Sequence, residues 1–421
     1  MCFNRFRAIA LATATGTLAT FSTETNAVEI EYWQYFFDAR VTAMEQLIEK
    51  FETANPGITV RMTHFPYADY RTKVAAAIPS GEGPDVVQLF YGWLNDYKAA
   101  SLIQPLPSSE FPSDSIDAAF FPMVSAMREG DSYWALPTAV RSLALFYNTR
   151  LFKDAGIEGP PETLDELVEI GRKLTKRDGA GNIIQAGLTL GMTAQDHHWF
   201  REGLVRQFGG EPYLDDYRTV NYNSEAGLKA MEFYLGLGAE DGIGAFGFMD
   251  EPQAAFKAGR AGMHIDGSFR IGSLNKTRGL KWGVTELPAT ADGIRSNYSS
   301  YWVNAITSKA DGEKYDAAVR FMQYITSDEA MQIWLDVVGE LPAKPSVGLT
   351  EANANDQIFG PFIRGLEYAN TTKFVNESAQ RQIMIDLVER VNLQGVSIKD
   401  ALAEAAAAEQ KLLDEYHTSK N

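Results

Sequence analysis

The stretch at residues 29–63 reads EIEYWQYFFDARVTAMEQLIEKFETANPGITVRMT. Its first five residues alternate as in a strand, and the apolar residues that follow are spaced as on one face of a helix: Val41, Met44, Leu47, Ile48 and Phe51. The Asn-Pro-Gly turn at 55–57 predicts the end of that helix, and residues 58–63 suit a second strand. This order of elements predicts an α/β protein with a mostly parallel sheet, in which ligands bind at the carboxyl ends of the strands.

The alternation of strands and helices continues along the chain. Further helices are predicted at 69–78, 163–174, 225–236, 314–325 and 397–416, and further strands at 85–90, 143–147, 261–265 and 301–307. Thr163 and Glu166 have the spacing of a capping box at the start of one of these helices. Because a second α/β unit begins near residue 140 and no long linker intervenes, we expect two lobes joined by short crossovers.

Length and charge narrow the class of protein. The 421 residues exceed the ~250–300 at which one core stops growing, which favours two domains. The formal net charge is −17, and no block of lysines and arginines is present. Since neutralising phosphates needs a basic surface, we expect no nucleic-acid partner.

The N-terminus has the three-part layout of a secretory signal peptide. A short basic stretch precedes an apolar run at 8–21, and polar residues follow up to Ala27. The run is shorter than the ~20 residues that span a bilayer. We therefore expect residues 1–27 to be a signal peptide and the mature chain to be exported to the periplasm. Cys2 is the only cysteine, so the mature chain contains no disulfide.

The sequence contains no recognisable catalytic motif. A Walker-type loop, a G-x-G-x-x-G loop after a strand and a G-x-S-x-G elbow are all absent. The pair His197-His198 belongs to no H-E-x-x-H or His/Cys cluster, so ligands for zinc are not available at a workable spacing. We expect no catalytic residues, no metal and no cofactor.

Aromatic and polar residues recur where strands end. The groups that stand out are Trp33, Gln34 and Tyr35, then Tyr91, Gly92 and Trp93, then His197, His198 and Trp199. Sugars pack their C–H faces on aromatic rings and need directional partners for their hydroxyls, so this mixture suits a carbohydrate site. Core packing is the alternative for each aromatic residue taken singly.

Several fragments, in this order and spacing, carry a family resemblance. They are FETANPGI at 51–58, SGEGPDVV at 80–87, WALP at 134–137, FYNTRLF at 146–152 and FKAGRAGM at 256–263. With them the chain resembles the extracellular solute-binding proteins of carbohydrate ABC importers, the group that contains the maltose-binding protein. The resemblance implies a bilobed type II periplasmic-binding-protein fold, with two α/β lobes joined by a hinge. It places the N-terminal lobe at 28–141 and 299–340, and the C-terminal lobe at 142–298 and 341–421.

The resemblance also implies a ligand groove. Besides the three groups named above, it implies groove positions for Arg141, Asp266, Gly267, Ser268, Phe269, Ser300, Tyr301 and Trp302. The maltose-binding protein has an acidic residue where this chain has Arg141. Phe269 occupies the usual tryptophan position, and residues 300–302 are bulkier than the glycine-rich stretch frequent in the family, which favours a ligand of one or two rings.

The expected function is that of the periplasmic substrate-binding component of an ABC importer, not an enzyme. It captures a mono- or disaccharide or a sugar derivative by hinge closure and delivers it, as a monomer, to the permease subunits in the membrane. The alternative ligand is an anionic or non-sugar solute. Arg141 also suits an anion such as a sulfonated sugar or a glycerophosphodiester, and a polyol is a further non-sugar alternative. A secreted glycoside-processing enzyme is the alternative of another class.

Overall fold

The computed structural model describes Met1 and residues 27–214 and 217–419, so most of the predicted signal peptide lies outside the described residues. The strands are β1 (Val28–Tyr35), β2 (Ile58–Phe65), β3 (Val86–Phe90), β4 (Arg128–Glu129), β5 (Ser132–Tyr133), β6 (Leu136–Asn148), β7 (Lys176–Arg177), β8 (Ile183–Leu188), β9 (Tyr213–Leu214), β10 (Thr219–Val220), β11 (Ala261–Gly267), β12 (Trp282–Thr285), β13 (Asn297–Ile306), β14 (Leu341–Pro342) and β15 (Ala369–Asn370).

The α-helices are α1 (Asp38–Ala54), α2 (Tyr67–Ala77), α3 (Leu94–Ala99), α4 (Ser113–Ala119), α5 (Thr149–Asp154), α6 (Leu164–Leu174), α7 (Asp196–His198), α8 (Val205–Gln207), α9 (Glu225–Gly236), α10 (Pro252–Lys257), α11 (Ile271–Asn275), α12 (Gly312–Ile325), α13 (Asp328–Val338), α14 (Pro345–Gly348), α15 (Glu351–Ala354), α16 (Gly360–Arg364), α17 (Glu377–Gln394) and α18 (Ile398–Ser419). A π-helix at Trp199–Leu204 joins α7 to α8.

The predicted opening unit of strand, helix and strand is confirmed as β1, α1 and β2. The predicted capping box is also present at the start of α6. There the Glu166 amide donates to the Thr163 hydroxyl at 3.2 Å, and the Thr163 amide donates to the Glu166 carboxylate at 3.3 Å. Local sequence signals therefore predict where β1, α1, β2 and α6 begin or end.

The central sheet is mixed rather than mostly parallel. Strands β1, β2 and β3 run parallel, and β11 runs parallel to β8. However, β13 is antiparallel to both β3 and β6, and β11 is antiparallel to β6. The difference has a simple origin: β6 leaves the first group of strands and β13 returns to it, so these neighbours run in opposite directions.

Strand β6 joins two groups of strands. Its first half, Leu136 to Ser142, pairs with β13, and its second half, Leu143 to Asn148, pairs with β11 and β12. We call β1, β2, β3, β13, the first half of β6 and the helices packed on them the first lobe. The second lobe comprises β8, β11, β12, the second half of β6 and the helices α6, α9, α17 and α18. The fold is thus a bilobed α/β arrangement.

Two hydrophobic cores follow this division in part, although Ala186, Ala261 and Val284 from strands of the second lobe belong to the first core. The first contains side chains of β1, α1, β3 and β13, and the second contains those of α6, α9, α17 and α18. None of the helices in the described part of the chain has the length and apolar character needed to cross a membrane.

Candidate ligand-binding cleft

Two adjoining cavities lie between the lobes and share three wall residues, Tyr35, Arg141 and Phe269. The smaller, here called the aromatic cavity, has a volume of about 250 Å³. The larger, here called the side cavity, has a volume of about 580 Å³. Because they share these side chains, the two cavities form parts of one cleft.

The first lobe contributes an aromatic wall to the aromatic cavity, formed by Tyr35, Tyr67, Phe90, Trp93 and Trp302. Trp302 is central, with its ring centroid 4.2 Å from that of Tyr35 and 5.4 Å from that of Trp93. The rings of Phe90 and Tyr67 lie 6.0 and 6.1 Å from it. The wall forms because β1, β3 and β13 are neighbours in the sheet, with Trp302 paired to Phe90 across the strands.

The opposite wall is polar and is built from Gln195, His198, Tyr298, Glu377 and Arg381. The imidazole of His198 stacks on the ring of Tyr298, with centroids 3.7 Å apart and planes 8° apart. Arg381 donates to one Glu377 carboxylate oxygen from Nε at 2.9 Å and from Nη2 at 2.6 Å. This wall therefore presents an imidazole, an amide and a fixed ion pair to the cavity.

The imidazole of His198 is uncharged at neutral pH. Burial lowers its pKa well below the ordinary value, and the neighbouring His197 and Arg201 lower the pKa further. Its Nδ1 is buried without a hydrogen-bond partner among the described residues. A neutral imidazole has one donor and one acceptor nitrogen, which suits a hydroxyl group better than a charged group.

Arg141 lines both cavities, and an acidic residue holds it in place. Its Nε donates to Glu340 at 2.7 Å, and its Nη2 donates to Glu340 and, at 3.2 Å, to the hydroxyl of Tyr35. The guanidinium carbon lies 5.1 Å from the ring centroid of Phe269. The predicted cation is therefore present in the cleft, but it is paired.

Opposite charges balance among the residues that line the two cavities. The cations are Arg40, Arg141, Lys276 and Arg381, and the anions are Asp38, Asp336, Glu340 and Glu377. Burial of Glu340 acts to raise its pKa, but Arg141 and Arg40 outweigh this effect and lower the pKa to about 2. The cleft as a whole thus carries no excess charge that would favour an anion.

Seven of the residues expected in the groove line the aromatic cavity: Tyr35, Trp93, Arg141, His198, Phe269, Ser300 and Trp302. Ser268 lines the side cavity. Gly267 has an indirect role, because a Cβ atom there would lie 2.2 Å from the ring of Phe269. The absence of a side chain lets that ring fold back towards the strand.

Two of the tryptophans expected in the groove, Trp33 and Trp199, line neither cavity. The ring of Trp33 packs on Phe65 at 4.8 Å, and its indole nitrogen donates to Glu31 at 2.8 Å. Trp199 is only 1% exposed and lies in the second core, 6.1 Å from the ring of Tyr234. The structure places both side chains in core packing.

The remaining expected residues also lie outside the two cavities. Gln34 donates to the sulfur of Met62 at 3.3 Å, and Asp266 accepts from Arg270 Nε at 2.5 Å. The hydroxyl of Tyr301 donates to a backbone carbonyl at 2.8 Å. The others are Tyr91, whose hydroxyl bonds that of Tyr298, Gly92, which packs under the ring of Phe90, and His197, which is fully buried.

Sequence reasoning missed several cleft residues: Tyr67, Phe90, Gln195, Tyr298, Glu340, Glu377 and Arg381. Phe90 ends β3 and directly precedes Tyr91, which was expected in the groove. Because side chains alternate along a strand, the sequence could have indicated Phe90 as the ring that faces the cavity. Glu340, Glu377 and Arg381 lie far along the chain from the rest of the cleft and belong to no local motif. The described residues contain no group of three or more His, Cys, Asp or Glu side chains placed to hold a metal ion.

The chain belongs to the bacterial extracellular solute-binding protein family, whose model matches residues 46–361. Members of this family are solute-binding proteins rather than enzymes, and membership implies a periplasmic or extracellular location. The bilobed fold and the cleft between its lobes agree with this class.

Similar proteins support the same class. The maltotriose-binding protein of Pyrococcus abyssi is 24% identical over 359 residues, which cover 82% of this chain and 73% of that protein. The sn-glycerol-3-phosphate-binding periplasmic protein of Yersinia enterocolitica is 21% identical over 347 residues, covering 77% and 76%. The solved cyclic α-maltosyl-1,6-maltose binding protein from Arthrobacter globiformis has a TM-score of 0.81 at 20% identity, over 92% of this chain and 100% of that one. It shares the fold.

Proposed function

We propose that this protein is the substrate-binding component of an ABC importer and that it captures an uncharged sugar of one or two rings. The aromatic cavity carries the proposal, because it sets a wall of five aromatic side chains opposite a wall of hydrogen-bonding groups. A pyranose ring has apolar faces and a polar edge, so it needs both kinds of wall at once.

The aromatic wall supplies the stacking surface. The ring centroids of Trp302 and Tyr35 are 4.2 Å apart, and the ring of Trp93 also packs on Trp302, at 5.4 Å. These contacts fix the orientation of the rings before a ligand arrives. Such preorganised rings lose little conformational freedom on binding. We expect the sugar to dock on this wall first.

The polar wall supplies the directional contacts. His198 is a neutral donor and acceptor, and the ion pair of Arg381 with Glu377 presents charged hydrogen-bonding groups without net charge. Because Glu377 and Arg381 of this wall lie on α17 of the second lobe, closing the lobes completes the ligand's hydrogen bonds and excludes water. We expect the hinge at Ser142 and Leu143, because β6 changes its pairing partner from β13 to β11 there.

The named ligands of the relatives include both maltotriose and sn-glycerol 3-phosphate. The balanced charges of the cleft favour the sugar, since an anion needs an unpaired cation to offset its desolvation. We further propose that the protein acts as a monomer in the periplasm and that its closed form binds the permease subunits.

Thermal unfolding against a panel of solutes tests this proposal, because a ligand that binds only the native state raises the midpoint. The panel contains mono- and disaccharides, polyols, sugar acids, sulfonated sugars and glycerophosphodiesters. We expect a neutral mono- or disaccharide to give the largest rise. A rise only with the anionic solutes would reject the sugar, and release of the chromophore from chromogenic glycosides would reject a binding protein without catalysis.

A further inference from the structure

Glu340 lies between two arginines in the wall of the side cavity. One carboxylate oxygen accepts from Arg40 at 2.6 Å and from Arg141 at 2.7 Å, and the other accepts from Arg40 at 2.5 Å and from Trp334 at 2.9 Å. The side chain of Glu340 is only 6% exposed. The left-handed Gly339 ends α13 just before it, which turns the chain so that Glu340 follows immediately.

This arrangement leaves Arg141 with one free edge. Its Nε and Nη2 are engaged by Glu340 and Tyr35, while its Nη1 forms no hydrogen bond with the described residues. The same guanidinium lines both cavities. A ligand thus meets an arginine whose orientation is fixed and whose charge is compensated only in part, because Glu340 also pairs with Arg40.

We propose that Glu340 sets the charge selectivity of the cleft, pairing with Arg141 so that the free guanidinium edge serves an uncharged oxygen and an anion is disfavoured. This inference rests on the proposed function and names the residue that decides the ligand class. Glu340 acts through Arg141 and is a positioning residue. An anion at Arg141 would have to share the guanidinium with a buried carboxylate of the same sign, which electrostatic repulsion opposes.

The test compares Glu340→Gln with the wild-type protein. Calorimetric titrations use the neutral sugar that binds the wild type most tightly, with sn-glycerol 3-phosphate and inorganic sulfate as anionic probes. We expect the ratio of the anion's affinity to the sugar's affinity to rise at least tenfold in the variant. Glu286→Gln is the matched control, since Glu286 pairs with Arg364 and lines neither cavity, and its ratio should equal that of the wild type.

A folded Glu340→Gln protein with an unchanged ratio would overturn the inference, and so would a wild type that binds either anion as tightly as any sugar. If the single variant does not fold, the double variant Arg40→Met/Glu340→Gln replaces it, because it strands only one arginine. If no neutral sugar binds the wild type, the proposed function fails separately. The anionic probes still decide the role of Glu340, since gain of anion binding supports it and no gain refutes it.

Discussion

The two walls of the aromatic cavity differ in how they are held. The wall of the first lobe consists of aromatic rings that contact one another, with Trp302 in contact with Tyr35 and Trp93. The polar wall includes His198 at the end of the short helix α7 and Arg381 in the first turns of α17. Tyr35, Trp93 and Trp302 of the first wall belong to the first core. In the second wall, the side chain of Arg381 is 40% exposed and can be altered with little effect on packing. The first lobe therefore supplies the aromatic contact area, and the second lobe supplies most of the hydrogen-bonding groups.

The largest expected effect is a loss of stability on replacing Trp199, a core residue that belongs to neither wall. Trp199→Ala should lower the free energy of unfolding by about 3–5 kcal/mol, because the side chain is 1% exposed in the second core. The affinity of the folded fraction for ligand should stay within a factor of about three, which corresponds to less than ~1 kcal/mol. Urea unfolding and calorimetry measure the two quantities. A large loss of affinity with unchanged stability would return Trp199 to the ligand site.

The next largest effect concerns how stability depends on pH through two buried carboxyl groups, Glu340 and Asp196. The pKa of Glu340 is lowered to about 2 because, despite its burial, two arginines stabilise its charge, whereas burial raises the pKa of Asp196 to about 6. The contribution of Glu340 to stability is present above its unfolded pKa of 4.5 and is lost as the pH falls towards 2. The contribution of Asp196 is full below 3.8 and is lost as the pH rises through about 6.

Asp196→Asn should therefore remove a decline in stability of up to about 3 kcal/mol between pH 4 and pH 6. One carboxylate oxygen, Oδ2, accepts from the Gly191 amide at 2.8 Å and from the Tyr234 hydroxyl at 2.7 Å, and an amide oxygen in that position can accept both bonds. Urea unfolding of the wild type and the variant at several pH values measures the difference. Parallel stability curves for the two proteins would contradict the assignment.

A smaller effect is expected for the edge of the aromatic wall. Tyr67 lines the cavity but is 60% exposed, so Tyr67→Ala should weaken ligand binding by about 1–2 kcal/mol with little change in the melting midpoint. Calorimetric titration measures this loss. Tyr315→Ala serves as the control, because Tyr315 lines neither cavity and its removal should leave the affinity unchanged. Equal effects of the two variants would exclude Tyr67 from the wall.

The smallest effect belongs to the polar wall. Arg381→Met should cost about 1 kcal/mol of affinity, seen mainly as faster ligand release, because this wall closes over a ligand that is already docked. Stopped-flow tryptophan fluorescence measures the release rate. The control is Arg390→Met, a variant of the same helix whose arginine pairs with Glu404 and lines neither cavity. A slower association with unchanged release would argue against this order of events.

The sequence predicted the elements of the fold better than the wall residues. Periodicity and capping are local signals, so β1, α1, β2 and the start of α6 could be predicted from them. The long-range direction of β13 could not, since it depends on how the chain crosses between the lobes. The mixed sheet was therefore not expected.

The cleft residues show the same limit. Trp33 and Tyr35 lie two positions apart on one face of β1, but only Tyr35 is at the strand end, so an aromatic group in the sequence does not reveal which ring reaches the cavity. The resemblance to a family supplied Arg141. Its partner Glu340 is 199 residues away, and only the folded chain reveals that the cation is paired.

A crystal structure of the protein with the sugar that raises its unfolding midpoint most tests the proposed binding mode. We expect a sugar ring stacked on Trp302 and Tyr35, with hydroxyls bonded to His198 and to Nη1 of Arg141. A ligand bound elsewhere, or an anionic group that displaces Glu340 from Arg141, would contradict it.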